Sequence, residues 1–391
     1  MVRPPTPWGM ILALWSAGLG AAAQYGKVSV IFDLLARAYP DVGPALAWAV
    51  SLVGLVGILF GVVAGLIVAR IRYRRALVWA LWLGAAASFA QVALPPLPWF
   101  LALRVLEGVS HLAIVVAAPT LIAGLAAERD RGLALTLWGT FFGVAFALLA
   151  FAGRPLAETF GVPALFAFHA AYMAGFAILL SLRLRGLPEE EPLPKRQNVL
   201  AEHWAIYRSP ETAAPAAGWL FYTFSFVSLL TVLPPFIAPE YRTTVMTAMP
   251  LMSILSSMTL GVLLLRRLSG VGVVQLGFIT SACGMIWLCW SPGDPLACLA
   301  VAAAMGLIQG ASFAAVPQLN QTPAAQARAN GALAQMGNIG NTTGTPVLAA
   351  GLASFGYAAL PFLAGGAFIL GFVAHALYAR ARKEARAGAP S

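Results

Sequence analysis

Charge is scarce in this chain. Only 10% of its 391 residues are Asp, Glu, Lys or Arg, against roughly 25% in soluble domains. With 14 acidic residues and 4 histidines, a catalytic constellation has little to draw on. No paired carboxylates, no Ser/His arrangement and no zinc-ligand spacing stand out. There is no Gly-x-x-x-x-Gly-Lys-[Ser/Thr] loop to cradle a nucleotide phosphate, which speaks against direct ATP coupling. The chain is expected not to be an enzyme and to need neither metal nor cofactor. The cysteines Cys283, Cys289 and Cys298 lie in or beside apolar runs. Cys283 and Cys289 are six apart on one predicted helix and face different directions, so they read as packing residues rather than a disulfide.

What the chain has in abundance is apolar surface. It is 60% hydrophobic, with a mean hydropathy of +0.82. Apolar runs near 20 residues recur from end to end, the length that crosses a bilayer as a helix. A membrane β-barrel would instead alternate over segments of about ten residues. Twelve spans are expected, at 8–32, 45–69, 76–95, 98–126, 131–153, 162–184, 215–237, 244–266, 271–291, 296–318, 329–352 and 358–380. Arg3, the apolar stretch after it and Ala21-Ala22-Ala23 resemble a signal peptide. The apolar character runs on to about Phe32, however, which favours an uncleaved first span.

The net charge of +10 is distributed as topology rather than as a nucleic-acid footprint. With the N-terminus inside, the inner segments carry 19 of the 24 basic residues, among them Arg70, Arg72, Arg74, Arg75, Lys195 and Arg196. The outer segments carry Lys27, Arg37, Arg154 and Arg242. This is the positive-inside pattern, and it places both termini in the cytoplasm. The longest polar interruption, 186–214, holds Glu189-Glu190-Glu191 and Lys195-Arg196 and divides the spans six and six. The expected organisation is an N-terminal bundle at 1–185, a cytoplasmic linker at 186–214, a C-terminal bundle at 215–380 and a cytoplasmic tail at 381–391. Val199 to Tyr207 has the pattern of a short interfacial helix.

The two halves echo each other. Glu107-Gly108-Val109-Ser110 in span 4 matches Gln309-Gly310-Ala311-Ser312 in span 10. Gly132 opens span 5 as Gly331 opens span 11, and Phe160-Gly161 precedes span 6 as Phe355-Gly356 precedes span 12. Internal repeats of this kind mark transporters that bind their solute between the halves.

Three further stretches carry a family resemblance. After span 2 the chain reads Gly65-Leu-Ile-Val-Ala69-Arg70-Ile-Arg72-Tyr73-Arg74-Arg75. Span 4 holds Arg104-Val-Leu-Glu107-Gly108. Span 5 holds Gly139-Thr-Phe-Phe-Gly143. Together with twelve spans in two sixes, these resemble the major facilitator superfamily. Its loop motif is Gly-x-x-x-Asp-Arg-x-Gly-Arg-Arg, which Gly65, Arg70 and Arg74 fit, while Ala69 replaces the acid and Arg72 the later glycine. Its span-4 motif is Arg-x-x-Gln-Gly, with Glu107 here in place of the glutamine; the family links that arginine to proton coupling. The antiporter motif Gly-x-x-x-Gly-Pro-x-x-Gly-Gly keeps only its first two glycines, which are equally a helix-packing signal. The resemblance implies an all-α membrane protein of twelve transmembrane helices in two pseudo-symmetric bundles. It implies alternating access for a small-molecule substrate, usually as a monomer, in a bacterial inner membrane.

Glu107 is the residue on which function is expected to turn. It lies roughly 13 Å along its span, close to the bilayer midplane, where an ionised side chain costs about 2.5–3.5 kcal/mol on insertion scales. Arg104 at i−3 and His111 at i+4 share its helix face. A salt bridge to Arg104 would offset the cost of both charges, its loosening would let Glu107 take a proton, and His111 would pass that proton inward. The alternative is a polar cluster that only fixes packing. Lys27 is expected to snorkel towards the outer interface, the alternative being that it adds positive charge to the site, and Asp33 and Arg37 are expected to form a solvated outer pair. His169 and His375 read as packing. Candidate solute contacts are Arg104, Gln24 and Tyr25 in the first half, with Tyr222, Gln309, Asn338 and Asn341 in the second. The amides fit solute binding and helix contacts equally. The expected function is proton-coupled transport of a small polar or anionic organic solute by alternating access, with uptake as the expected direction. The alternatives are proton-driven efflux of an amphipathic compound, a non-transporting membrane protein and a channel.

Overall fold

In a computed structural model, residues 5–185 and 206–387 are described. They are almost wholly helical: α1 (Trp8–Ser29), α2 (Phe32–Ala38), α3 (Gly43–Ser51), α4 (Val53–Ile71), α5 (Tyr73–Gln91), α6 (Leu97–Leu125), α7 (Arg131–Phe160), α8 (Val162–Arg183), α9 (Pro210–Val232), α10 (Pro239–Leu265), α11 (Gly270–Trp290), α12 (Pro295–Leu319), α13 (Pro323–Phe355) and α14 (Ala359–Ala387). Among the described residues eight helices are long and apolar enough to span a membrane. A ninth span comes from α3 running into α4 through a 50° bend. The other expected spans fall on α1, α5 and α13, which carry more polar residues.

The chain forms two compact units, Met1–Arg196 and Gln197–Ser391. Most of the expected linker, including Glu189-Glu190-Glu191, Lys195-Arg196 and most of Val199 to Tyr207, lies outside the described residues. α9 begins at Pro210, ahead of the expected start at 215, because Ser209 caps it and proline suits its first turn. The same cap-then-proline start is written at Asp294-Pro295 and Thr322-Pro323. At the other end α14 continues past residue 380, supported by an Arg380–Glu384 pair at 2.8 Å one turn apart.

Unit 1 packs around Ile11, Leu14, Leu77, Leu81, Ile114, Ile122, Met173 and Leu180, drawn from α1, α5, α6 and α8. Outward-facing Trp79, Phe89, Trp99 and Phe151 remain exposed, as expected where lipid is the solvent.

The sequence echo has a structural counterpart in each unit. At Gly108 on α6 an added methyl would sit 2.5 Å from the Val53 carbonyl oxygen of α4. At Gly310 on α12 it would strike the Ser257 hydroxyl of α10. The start of α1 is tied to the α6–α7 turn, Thr6 donating to Asp130 at 2.5 Å and Ala127 N–H to Thr6 at 3.0 Å. The start of α9 is tied to the α12–α13 turn in the same way, Thr212 donating to Asn320 at 3.1 Å and the Asn320 amide to the Glu211 carbonyl at 3.2 Å.

Arg72, which occupies the motif's glycine position, has φ 75° and ψ 128°. That left-handed backbone is why the family pattern calls for glycine there.

Candidate functional site

A set of buried polar residues in unit 1 converges on Glu107. α1 brings them within reach because its middle is small on every side, with Gly18, Gly20, Ala21, Ala22 and Ala23 all buried. Glu107 is fully buried, and both of its carboxylate oxygens are occupied. Oε1 accepts from Lys27 Nζ at 2.6 Å, with Ser88 Oγ at 3.4 Å. Oε2 accepts from the Arg104 guanidinium and from Gln91 Nε2 at 2.8 Å. Arg104 spends its other donors on backbone carbonyls, Nε to Ala49 at 2.5 Å and the remaining nitrogen to Gln24. The guanidinium thus pins α6 to both α1 and α3, a use of its fork that lysine could not reproduce.

Lys27 does not snorkel. It is fully buried, with its ammonium held by Glu107, Ser88 and the face of the Phe166 ring at 5.1 Å. The carboxylate turns it inward, since a buried partner offsets the desolvation that snorkelling would avoid. His169 is likewise more than a packing residue. Its Nε2 donates to the Gly20 carbonyl at 2.9 Å, which leaves Nδ1 as an acceptor, 2.6 Å from Ser88 Oγ and 3.3 Å from Lys27 Nζ.

The expected Arg104–Glu107 pair is therefore formed, while His111 stands beside it. His111 Nδ1 donates to the Ala21 carbonyl at 2.9 Å and its ring meets Tyr25 edge-on at 5.1 Å. Gln24 Nε2 donates to Ser110 at 2.8 Å. Three buried polar atoms around this centre have no protein partner: Gln24 Oε1, Gln91 Oε1 and the Tyr25 hydroxyl. Asp33 pairs with Arg154 rather than Arg37, through two bonds of 2.7 and 2.8 Å. Arg154 reaches it from α7 while also binding the Val30 carbonyl at 2.9 Å and Glu158 at 2.9 Å.

Unit 2 holds its candidates apart. Tyr222 stacks between Trp219, at 4.6 Å, and Phe226, at 5.6 Å. Its hydroxyl meets Ser253, which donates to Gln309 at 3.3 Å. Asn338 turns back onto its own helix, donating to the Ala334 carbonyl at 2.8 Å, and Asn341 is half-buried one turn along. His375 is fully buried against the close approach of Gly218, with neither ring nitrogen bonded.

Comparison with known proteins gives the family and the fold. The sequence profile of the Major Facilitator Superfamily matches residues 10–324. The chain belongs to the major facilitator superfamily. It is a multi-pass membrane protein and a secondary transporter, not an enzyme. Its solvent is the lipid bilayer, and its cargo a small molecule moved by alternating access. The fold is similar to that of a bacterial homolog of the human lysosomal transporter Spinster. In an inward-facing, unoccupied conformation that protein superposes with a TM-score of 0.77 at 15% identity, covering 96% of this chain and 97% of the other. In an inward-facing, occupied conformation the values are 0.77, 14%, 97% and 98%. No curated protein matches the chain.

Ser88, Gln91 and His169 are the site residues that reading the sequence for Glu107 missed, and Lys27 takes the less expected of its two readings, a positive charge within the site. Their signal was present: Gly20, Gln24 and Lys27 lie on one stripe of α1, and Ser88 and Gln91 are one turn apart on α5.

Proposed function

We propose that this transporter couples a proton to a small polar or anionic organic solute through the centre built on Glu107, Arg104 and Lys27, and that it works as a monomer in uptake across a bacterial cytoplasmic membrane, both termini inside. The observation that carries the reading is the buried ion cluster itself. Two cations converge on one carboxylate, fully removed from water, and charges at that depth are rarely kept without use. The centre carries one cation in excess, which favours an anionic or strongly polar cargo. Gln24, Tyr25 and Gln91 offer unpartnered polar atoms beside it, and Tyr222, Gln309, Asn338 and Asn341 are the contacts proposed from unit 2. His111 serves as an inward step for the proton only after rearrangement, since it is bonded to α1. The basic inner loops support the orientation.

The test is purified protein in proteoliposomes with a pH-sensitive dye inside, challenged with organic acids, sugars, amino acids, siderophores and cationic drugs. A solute whose entry acidifies the lumen supports the proposal. The Trp219–Tyr222–Phe226 stack favours a second reading, efflux of an amphipathic compound. Under that reading cationic drugs, rather than acids, drive a proton flux of opposite sign.

A further inference from the structure

The centre holds four groups that bear on where its mobile proton sits. Glu107 accepts from three N–H donors, Lys27, Arg104 and Gln91, while Ser88 Oγ lies 3.4 Å away with its one proton turned to His169 Nδ1 at 2.6 Å. A proton added to either oxygen would compete with an N–H already bonded there, and one of those bonds would have to break. Arg104 keeps its proton in any protein environment. Lys27 is different. Its ammonium touches two groups that accept protons besides the carboxylate: Ser88 Oγ, and through it His169 Nδ1 at 2.6 Å from that oxygen. His169 is already fixed in the tautomer that receives at Nδ1, because Nε2 is committed to the Gly20 carbonyl.

The geometry points to Lys27 as the group that gives up and regains the coupled proton, with Ser88 and His169 as its relay. This deepens the proton-coupled reading above and rests on it. In the step, a Lys27 Nζ–H bond breaks as Ser88 Oγ takes that proton, and the Ser88 O–H bond breaks as His169 Nδ1 takes its own. The products are a neutral Lys27 amine, an unchanged serine and a His169 imidazolium whose Nε2–H remains on Gly20. The total charge of the centre does not change within the relay. It falls by one when the imidazolium passes its proton to water on the open side of the transport cycle. Glu107 stays ionised throughout, paired with Arg104, and its role is to hold the ammonium form until the relay acts.

The groups facing Lys27 come from every helix that packs on α1. α6 supplies Glu107, Arg104 and, one turn on, His111. α8 supplies His169 and the Phe166 ring. α5 supplies the neutral Ser88 and Gln91, while α7 packs on α1 with the phenylalanines at 142 and 146, Phe142 against Tyr25, and brings no charge to Lys27. Asp33 is committed to Arg154 at the outer end.

The chain has three lysines, Lys27, Lys195 and Lys383, which makes a direct measurement practical. Full-length protein in nanodiscs, labelled at lysine Cε and glutamate Cδ with carbon-13, is followed by NMR as bulk pH is stepped. Lys27→Arg assigns the Lys27 signal, and Glu107→Gln the Glu107 signal. The proposal predicts that the Lys27 signal moves from its ammonium to its amine position while the Glu107 signal keeps the carboxylate position. In His169→Gln the Lys27 exchange should slow by about 10²-fold, although Lys27 itself is intact. A Lys27 signal fixed as ammonium beside a Glu107 signal that becomes carboxylic acid overturns the inference and leaves the proton-coupled reading in place. Two fixed signals in a protein that moves protons with solute also overturn it. A protein that moves solute with no proton at all instead removes the reading on which it rests.

Discussion

Lys27 and Glu107, 80 residues apart in the chain, meet as a fully buried ion pair with 2.6 Å between Nζ and Oε1. The pair binds α1 to α6, and Arg104 binds the same carboxylate from within α6. Two cations on one acid make the three charges interdependent, and the predictions below begin from that dependence.

Removing the acid alone should be more harmful than removing it together with a cation. Glu107→Gln leaves Lys27 and Arg104 buried without their counter-charge, a loss of about 3–5 kcal/mol. Lys27→Met combined with Glu107→Gln should be less destabilised than the sum of the single changes, with a coupling of about 0.5–3 kcal/mol. Thermal unfolding of the four proteins in detergent measures this. Additive losses would mean that the pair contributes nothing specific.

Asp33 gives a pH signature at the outer end. Burial raises its pKa, but the hydrogen bonds and charge of Arg154 outweigh this, and the net shift is downward. A lowered folded pKa stabilises the protein above the unfolded value of 3.8, and that stability is lost as pH falls through the lower folded value. Wild type should therefore melt above Asp33→Asn at neutral pH, and the gap should close as the buffer is acidified below 3.8. A gap independent of pH would remove the carboxylate from the account.

Arg72 holds a backbone conformation that glycine adopts freely. Arg72→Gly should stabilise the protein by about 1 kcal/mol, within the range for a sparsely populated φ/ψ region, seen as a rise in melting temperature. A fall would show that the Arg72 side chain contributes more than its backbone costs.

The repeated glycines should differ in tolerance. Gly108→Ala drives a methyl towards the Val53 carbonyl, which cannot rotate away, and should cost about 1–3 kcal/mol. Gly310→Ala meets the Ser257 hydroxyl, the end of a rotatable side chain, and should cost less. Equal losses would indicate that α4 and α10 yield to the same degree.

Much of this was legible in the sequence, and the boundary is physical. The apolar runs declare helices. Arg104 and Glu107 were readable as a pair because one helix turn fixes their spacing. Arg154 with Asp33, and Lys27 with Ser88 and His169, were not, since those contacts join helices separated by 61 to 142 residues. Their register depends on how far Gly20 and its small neighbours let α1 sink into the unit. Snorkelling was a fair expectation for a lysine two residues from a helix end. It failed because Glu107 on α6 and Ser88 on α5 offer the ammonium buried partners that offset its desolvation. The helix start at Pro210 was written in Ser209-Pro210, a local signal that hydropathy alone passes over.

The central claim is that the Glu107 centre couples proton movement to solute movement. The most direct measurement compares wild type with Glu107→Gln in proteoliposomes, using whichever panel solute acidifies the lumen. Both proteins are assayed for accumulation driven by a pH gradient and for exchange of labelled against unlabelled solute without a gradient. The account predicts that Glu107→Gln keeps exchange and loses gradient-driven accumulation. Full accumulation in Glu107→Gln, with the same proton signal as wild type, would contradict it and leave the buried cluster a purely structural clasp.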